Sequence, residues 1–283
     1  DPDLPWQDRR AEVYRVLVEH ASFEQQGLRA SLDRLGIQYK SFYLVNALEV
    51  QSGPILRAWL NTRPEVDRIL DSPILRPLPE PVESEAGTLA TPNGVPWNVA
   101  LTQADRVWSE LHVDGSGILV GISDSGVEGG HPEIKDAAAS NGLNWLDPWY
   151  GSPEPTDISG HGTAVTSIIL GKNTGIAPGA EWMGCVNLAR NLGNPAYYVE
   201  CMQFLLAPYP QGGDAFTEGE PALGAQVVNY SWKPLRIRSG DAIAQLVQMP
   251  VICEPLEELP KPADGAAGAE IGAGAPGCAG CNT

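Results

Sequence analysis

Gly117-Ile118-Leu119-Val120-Gly121-Ile122-Ser123-Asp124-Ser125-Gly126 reads as an apolar strand that stops on a carboxylate and turns. The run from Gly117 to Ser123 has the unbroken apolar character of a strand buried on both faces, and its glycines permit tight backbone turns. It predicts that Asp124 stands at the end of a buried strand. Further along, His161 is bracketed by Gly160 and Gly162 and opens the apolar run Ala164 to Leu170. That pattern predicts a helix starting at an exposed turn, where a histidine can present both ring nitrogens.

An acid that holds one imidazole nitrogen while the other takes a proton from a hydroxyl is the working logic of a serine hydrolase triad. Gly121-Ile122-Ser123-Asp124-Ser125-Gly126-Val127, followed by His131-Pro132, and Ser159-Gly160-His161-Gly162-Thr163-Ala164-Val165 resemble the aspartate and histidine blocks of the subtilisin-like serine proteases. Two further segments stand in that family's order. Gly175-Ile176-Ala177-Pro178-Gly179-Ala180 resembles its entry to a strand, and Gly224-Ala225-Gln226-Val227-Val228-Asn229-Tyr230-Ser231-Trp232 resembles the strand whose edge pairs with substrate backbone. The resemblance implies an α/β chain whose residues 94–232 are the N-terminal part of a doubly wound parallel-sheet peptidase domain. It implies Asp124 and His161 as catalytic residues, Asn229, Ser231 and Trp232 as substrate-binding residues, and a protein or peptide substrate.

The first eighty residues are read separately. Val13, Val16 and Leu17 fall at helical spacing within Arg9 to His20, and Leu28, Leu32 and Leu35 repeat the stripe. Ser41 to Val50 predicts a strand, Pro54 to Asn61 a short helix with proline in its first turn, and Glu65 to Leu70 a second strand. Together they predict a small two-layer α+β domain, ferredoxin-like, over residues 1–79. Asn46 after an apolar strand, with Pro64-Glu65-Val66-Asp67-Arg68-Ile69, resembles the inhibitory propeptide of the same family. That implies an intramolecular contact with the catalytic part, with residues 72–85 as the tail that enters the cleft. Residues 80–93 lie in a stretch with the composition of an extended, cleavable linker. An independent ferredoxin-like domain with an unrelated role is the alternative.

Composition bounds the rest. With 283 residues, 43% of them hydrophobic, the chain can build one small and one larger core. A net charge of −17 argues against nucleic acid as a partner, because phosphates would be repelled. No apolar run approaches the ~20 residues that cross a bilayer, so no membrane partner is expected. The resemblance implies secretion, with any signal removed upstream of Asp1. Five cysteines give an odd count; Cys185 and Cys201 either bridge or stay as buried thiols, and Cys278 and Cys281 have metal or redox spacing without a second pair. Gly212-Gly213-Asp214 and Glu218-Gly219-Glu220-Pro221 suggest an exposed acidic loop, either solvated charge or a structural calcium site. No other metal is assigned. Trp145, Trp149, Tyr150 and Trp182 read as core or cleft wall.

Beyond Trp232 the family pattern stops: Lys233 stands where the substrate strand would carry glycine, and residues 233–283 become rich in Pro, Glu, Ala and Gly, as in a disordered tail. The chain has no Gly-Thr-Ser nucleophile segment, and Ser231 and Ser239 lack the glycine and helix start that expose a nucleophile. Three explanations compete. The first, preferred, is an endopeptidase precursor that is truncated or frame-shifted near residue 232 and inactive as it stands. The second is a noncatalytic inhibitor or chaperone of another protease, and the third a pseudo-protease that binds peptides without cutting them.

Overall fold

The computed structural model describes residues 5–74, 95–189 and 192–230, all within one compact unit, Asp1–Gln248. The chain opens with a 29-residue helix, α1 (Trp6–Arg34), then an antiparallel hairpin of β1 (Tyr39–Phe42) and β2 (Ala47–Val50), and a short helix α2 (Pro54–Leu60). Helices α3 (Trp97–Thr102) and α4 (Ala104–Arg106) run into a single π-helical turn, Val107–Leu111. Then come β3 (Leu119–Asp124), β4 (Trp145–Leu146), α5 (His161–Leu170), β5 (Glu181–Val186), the small hairpin β6 (Leu188–Ala189) and β7 (Leu192–Gly193), α6 (Pro195–Leu206) and β8 (Val227–Tyr230).

The central sheet is parallel, in the order β4-β5-β3-β8. All six residues of β3 are buried, because helices cover both faces of the sheet. Alternation sorts the strands between two cores. Val120, Ile122, Trp182 and Val186 pack with Leu170 of α5, whereas Leu119, Met183 and Cys185 pack with Cys201, Phe204 and Leu205 of α6. The α/β parallel-sheet expectation is therefore met, and the strand run beginning at Gly117 delivers Asp124 at its end.

The N-terminal segment differs from its reading in three places. Ser41 to Val50 is the hairpin β1–β2 and not one strand: Asn46 adopts φ +44°, the left-handed turn conformation, and Gln25 Nε2 donates to its side-chain oxygen at 3.1 Å. The apolar turn residues Leu44 and Val45 look like strand residues because they pack, with Phe42, against Ala196 and Val199 of α6. Glu65 to Leu70 forms no strand. Val66 and Ile69 do pack against the small core of Leu28, Leu32 and Leu60, but among the described residues no neighbouring strand exchanges hydrogen bonds with them. The segment is thus two helices on a two-stranded hairpin among the described residues, and ferredoxin-like pairing is not formed there.

The third difference is the face of α1. Of the expected stripe, Leu17, Leu28 and Leu32 do face inward, but Val13, Val16 and Leu35 are exposed, at 44%, 46% and 58%, and the inward stripe is completed by Arg10, Tyr14, Ala21 and Gln25. Its polar members carry the docking. Arg10 donates from Nη1 to the Pro221 carbonyl at 3.1 Å and to that of Gly224, and from Nη2 to Ala225 at 3.0 Å, on the loop that enters β8. Tyr14 Oη donates to the Ala215 carbonyl. On the hairpin, the Tyr43 amide donates to Gln203 Oε1 at 2.6 Å, and Lys40 pairs with Glu200 at 2.6 Å, so α6 is the platform for β1 and its turn.

Candidate active site

Asp124 is fully buried at the C-terminal end of β3, where its carbonyl accepts the Asn187 amide as the chain leaves β5. His161 is the first residue of α5. Gly160 before it has φ +79°, which lets the loop turn directly into the helix. These two elements bring His161 Nδ1 to 2.7 Å from Asp124 Oδ1, and the same carboxylate oxygen accepts the Ser125 amide at 2.6 Å. The imidazole side chain keeps 37% of its surface exposed. Nδ1 is held by the acid, so Nε2 is the nitrogen left for proton exchange. The Asp124 bond raises the proton affinity of His161 above the ordinary imidazole value; partial desolvation opposes this, and the negative charges of Asp124 and Asp157 add to it.

The glycines of both motifs serve close approach. A Cβ on Gly162 would lie 2.0 Å from the Gly126 carbonyl oxygen and 3.0 Å from Asp124 Cβ, and one on Gly126 would lie 2.1 Å from the Thr156 carbonyl. Gly126 also has φ +124° and forms an antiparallel bridge with Asp157. Without side chains there, the end of β3 and the start of α5 can touch backbone to backbone.

Of the expected site residues, the structure brings Asp124 and His161 together. Asn229 lies in β8, paired beside Ile122 of β3. Ser231 and Trp232 lie outside the described residues. Asp157, Ser125 and Thr163 were missed. Asp157 Oδ1 accepts Ser125 Oγ (2.9 Å) and the amides of Ser159 (3.1 Å) and Gly160 (2.9 Å), and Oδ2 accepts the Thr163 amide (2.8 Å) and hydroxyl (2.7 Å). An aspartate three residues before the glycine that opens a helix is a local signal for such a turn, since short carboxylates bond the backbone ahead of them.

Cys185 and Cys201 form a disulfide with Cα atoms 5.5 Å apart, joining β5 to α6. Cys253, Cys278 and Cys281 lie outside the described residues. Trp182 and Trp145 are core, and Trp149 is partly buried against Tyr197, whereas Tyr150 is half exposed. In the acidic loop, Glu218 accepts the Asp214 amide at 2.6 Å, and Asp214 accepts the Phe216 amide and the Thr217 hydroxyl, both at 3.0 Å. These carboxylates fold the turn on themselves and do not fit a calcium site. Among the described residues no group of three or more His, Cys, Asp or Glu could hold a metal ion.

Residues 115–254 match the model of the subtilase family, so the match continues past Trp232. The chain is 29% identical over 215 residues to Bacillopeptidase F of Bacillus subtilis (strain 168), covering 69% of this chain and 15% of that protein. It is 35% identical over 95 residues to Intracellular serine protease of Paenibacillus polymyxa, covering 31% of this chain and 28% of that one. The matched stretches thus span less than a third of the length of either relative.

Proposed function

The chain belongs to the subtilase family through residues 115–254, and from that membership we propose that Asp124 and His161 are the acid and base of a serine endopeptidase triad. The observation that carries the reading is the 2.7 Å bond between a buried strand-end carboxylate and the Nδ1 of a helix-starting, partly exposed histidine. In the reaction, a serine hydroxyl attacks the peptide carbonyl, His161 Nε2 takes its proton and returns it to the leaving amine, and Asp124 holds the tautomer and the imidazolium. Asn229 of β8, with Ser231 and Trp232 that follow it in the sequence, would bind the substrate backbone in this proposal. The serine is not among the motifs of these 283 residues, so we expect them to turn over no peptide alone. This is also the motive for the truncation or frame-shift reading, although the family match running to residue 254 does not support a break as early as residue 232.

Residues 1–79 act, in this proposal, as a folding and inhibitory segment. Its support is the docking of α1 and the hairpin on α6, and the Asn194 carboxamide, which donates to Ser72 Oγ at 2.9 Å at the start of α6. Secretion belongs to the proposal too. The Cys185–Cys201 bridge favours an oxidising compartment, although the name of the Paenibacillus relative points the other way.

The test translates the encoding DNA beyond the codon for Trp232 in all three frames. A product carrying Gly-Thr-Ser-x-Ala is assayed on a chromogenic peptide amide. Turnover that collapses in Asp124→Asn and His161→Ala supports the assignment. Turnover retained by either variant refutes it, and a gene with no such segment in any frame leaves binding or inhibition as the function.

A further inference from the structure

Asp157 collects hydrogen bonds of one kind only. Its carboxylate faces two hydroxyls and three backbone amides, all donors. This fixes the polarity of both hydroxyls. Ser125 Oγ, having given its proton to Asp157, accepts the Gly162 amide at 3.0 Å, and Thr163 Oγ1, having done the same, accepts the Glu128 amide at 2.9 Å. Each hydroxyl therefore links the segment after β3 to the start of α5. Ser125 follows Asp124 directly, and Gly162 follows His161 directly, so the first of these links joins the immediate chain neighbours of the two reacting residues.

We propose that Asp157 is a positioning residue for the Asp124–His161 pair, orienting Ser125 and Thr163 so that they hold the carboxylate and the imidazole in register and keeping a fixed negative charge beside the imidazole. This rests on the reading of Asp124 and His161 as the acid and base. An anion is required chemically, because only an ionised carboxylate accepts at both oxygens. A carboxamide would turn an N–H₂ group toward one of the two donor sets, breaking either the Ser125 or the Thr163 link. The charge has its own effect: Asp157 is one of the groups that raise the proton affinity of His161, alongside Asp124, which contributes more. Bonds to a charged acceptor are also stronger than neutral ones, which suits a device that must hold its geometry in a partly exposed loop.

The test is an NMR titration of the His161 ring in the full chain, comparing wild type, Asp157→Asn, Asp124→Asn and the double variant. Asp157→Asn is expected to move the His161 midpoint to lower pH while the protein stays folded. It is also expected to shrink the further shift that Asp124→Asn produces, since the pair is no longer in register. A folded Asp157→Asn chain with the wild-type midpoint overturns the proposal, because a residue that only closes the loop would lower stability and leave that midpoint alone. If Asp157→Asn does not fold, Ser125→Ala and Thr163→Val each remove one link. A downward shift in either supports the proposal, and wild-type midpoints in both overturn it. The titration needs no turnover, so the result stands apart from whether the chain ever cuts a peptide.

Discussion

Replacing Gly162 by alanine tests the link between the glycine motifs and the chemistry of the site. The new Cβ would sit 2.0 Å from the Gly126 carbonyl oxygen and 3.2 Å from Asp124 Cγ. Carbon and oxygen do not approach that closely, so the two backbones must part by about 1 Å to restore ordinary contact. Gly126 cannot retreat by itself, because it is pressed against the Thr156 carbonyl and bridged to Asp157. The start of α5 has to move, carrying His161 with it. A 2.7 Å bond lengthened by that amount lies beyond hydrogen-bonding range, which ends near ~3.5 Å. We expect a loss of stability at the upper end of the about 1–3 kcal/mol typical of overpacking.

Because the Asp124 bond is the leading cause of the raised His161 pKa, the imidazole should also titrate at lower pH. A raised folded-state pKa contributes stability that is complete below the unfolded imidazole value, 6.5, and is lost as pH rises through the folded value. In Gly162→Ala that slope should flatten. Urea unfolding between pH 5 and 8, with an NMR titration of the ring, reads both effects. A variant with wild-type stability and the wild-type His161 midpoint would refute the reasoning.

Three other outcomes follow from the docking and the cores. Arg10→Met should destabilise the chain by about 2–4 kcal/mol, since three carbonyls on the loop into β8 lose their buried donor; an unchanged urea midpoint would contradict this. Replacing Cys185 and Cys201 together by alanine should cost about 3 kcal/mol, as expected for a closed loop of this length, and reductant should then have no further effect at either site. Burial raises the pKa of Glu200 in spite of Lys40, so its ionisation weakens folding as pH rises from 4.5 through the folded value. Glu200→Gln should remove that part of the pH dependence of stability, and a slope identical to wild type in the acid limb would show that Glu200 does not set it.

How much of this was legible beforehand depended on where each signal sits. The strand ending at Asp124 and the helix opening at His161 are local: an apolar run closed by Asp-Ser-Gly, and a glycine-flanked histidine before another apolar run. Helix α6 carries equally local signals, with Asn194 capping it and Pro195 in its first turn. Local pattern failed where burial was assigned by a distant partner. The hairpin turn at Leu44 and Val45 is apolar because α6 covers it, and Val66 and Ile69 look like strand residues although no strand among the described residues pairs with them. In α1 the inward stripe contains Arg10 and Gln25, whose donor groups reach acceptors contributed from other elements: the carbonyls of Pro221, Gly224 and Ala225 for Arg10, and the Phe42 carbonyl and Asn46 side chain for Gln25. A hydropathy reading therefore found Leu17, Leu28 and Leu32 on the inward face but also took in Val13 and Val16, which are exposed, in place of Arg10 and Tyr14.

The sequence by itself determined the order of the chemistry, a carboxylate at the end of a buried strand and a histidine at the head of a helix, because hydrophobic period and turn residues act over a few neighbours; the parallel sheet that holds them was implied by the family resemblance of the motifs. Only the tertiary structure decided that the two approach to 2.7 Å, that Asp157 ties their flanking residues together through Ser125 and Thr163, and that Cys185 meets Cys201. Those facts depend on how closely separate segments can pack, a distance set by the bare backbones of Gly126 and Gly162 and by hydrogen bonds between residues far apart in the chain.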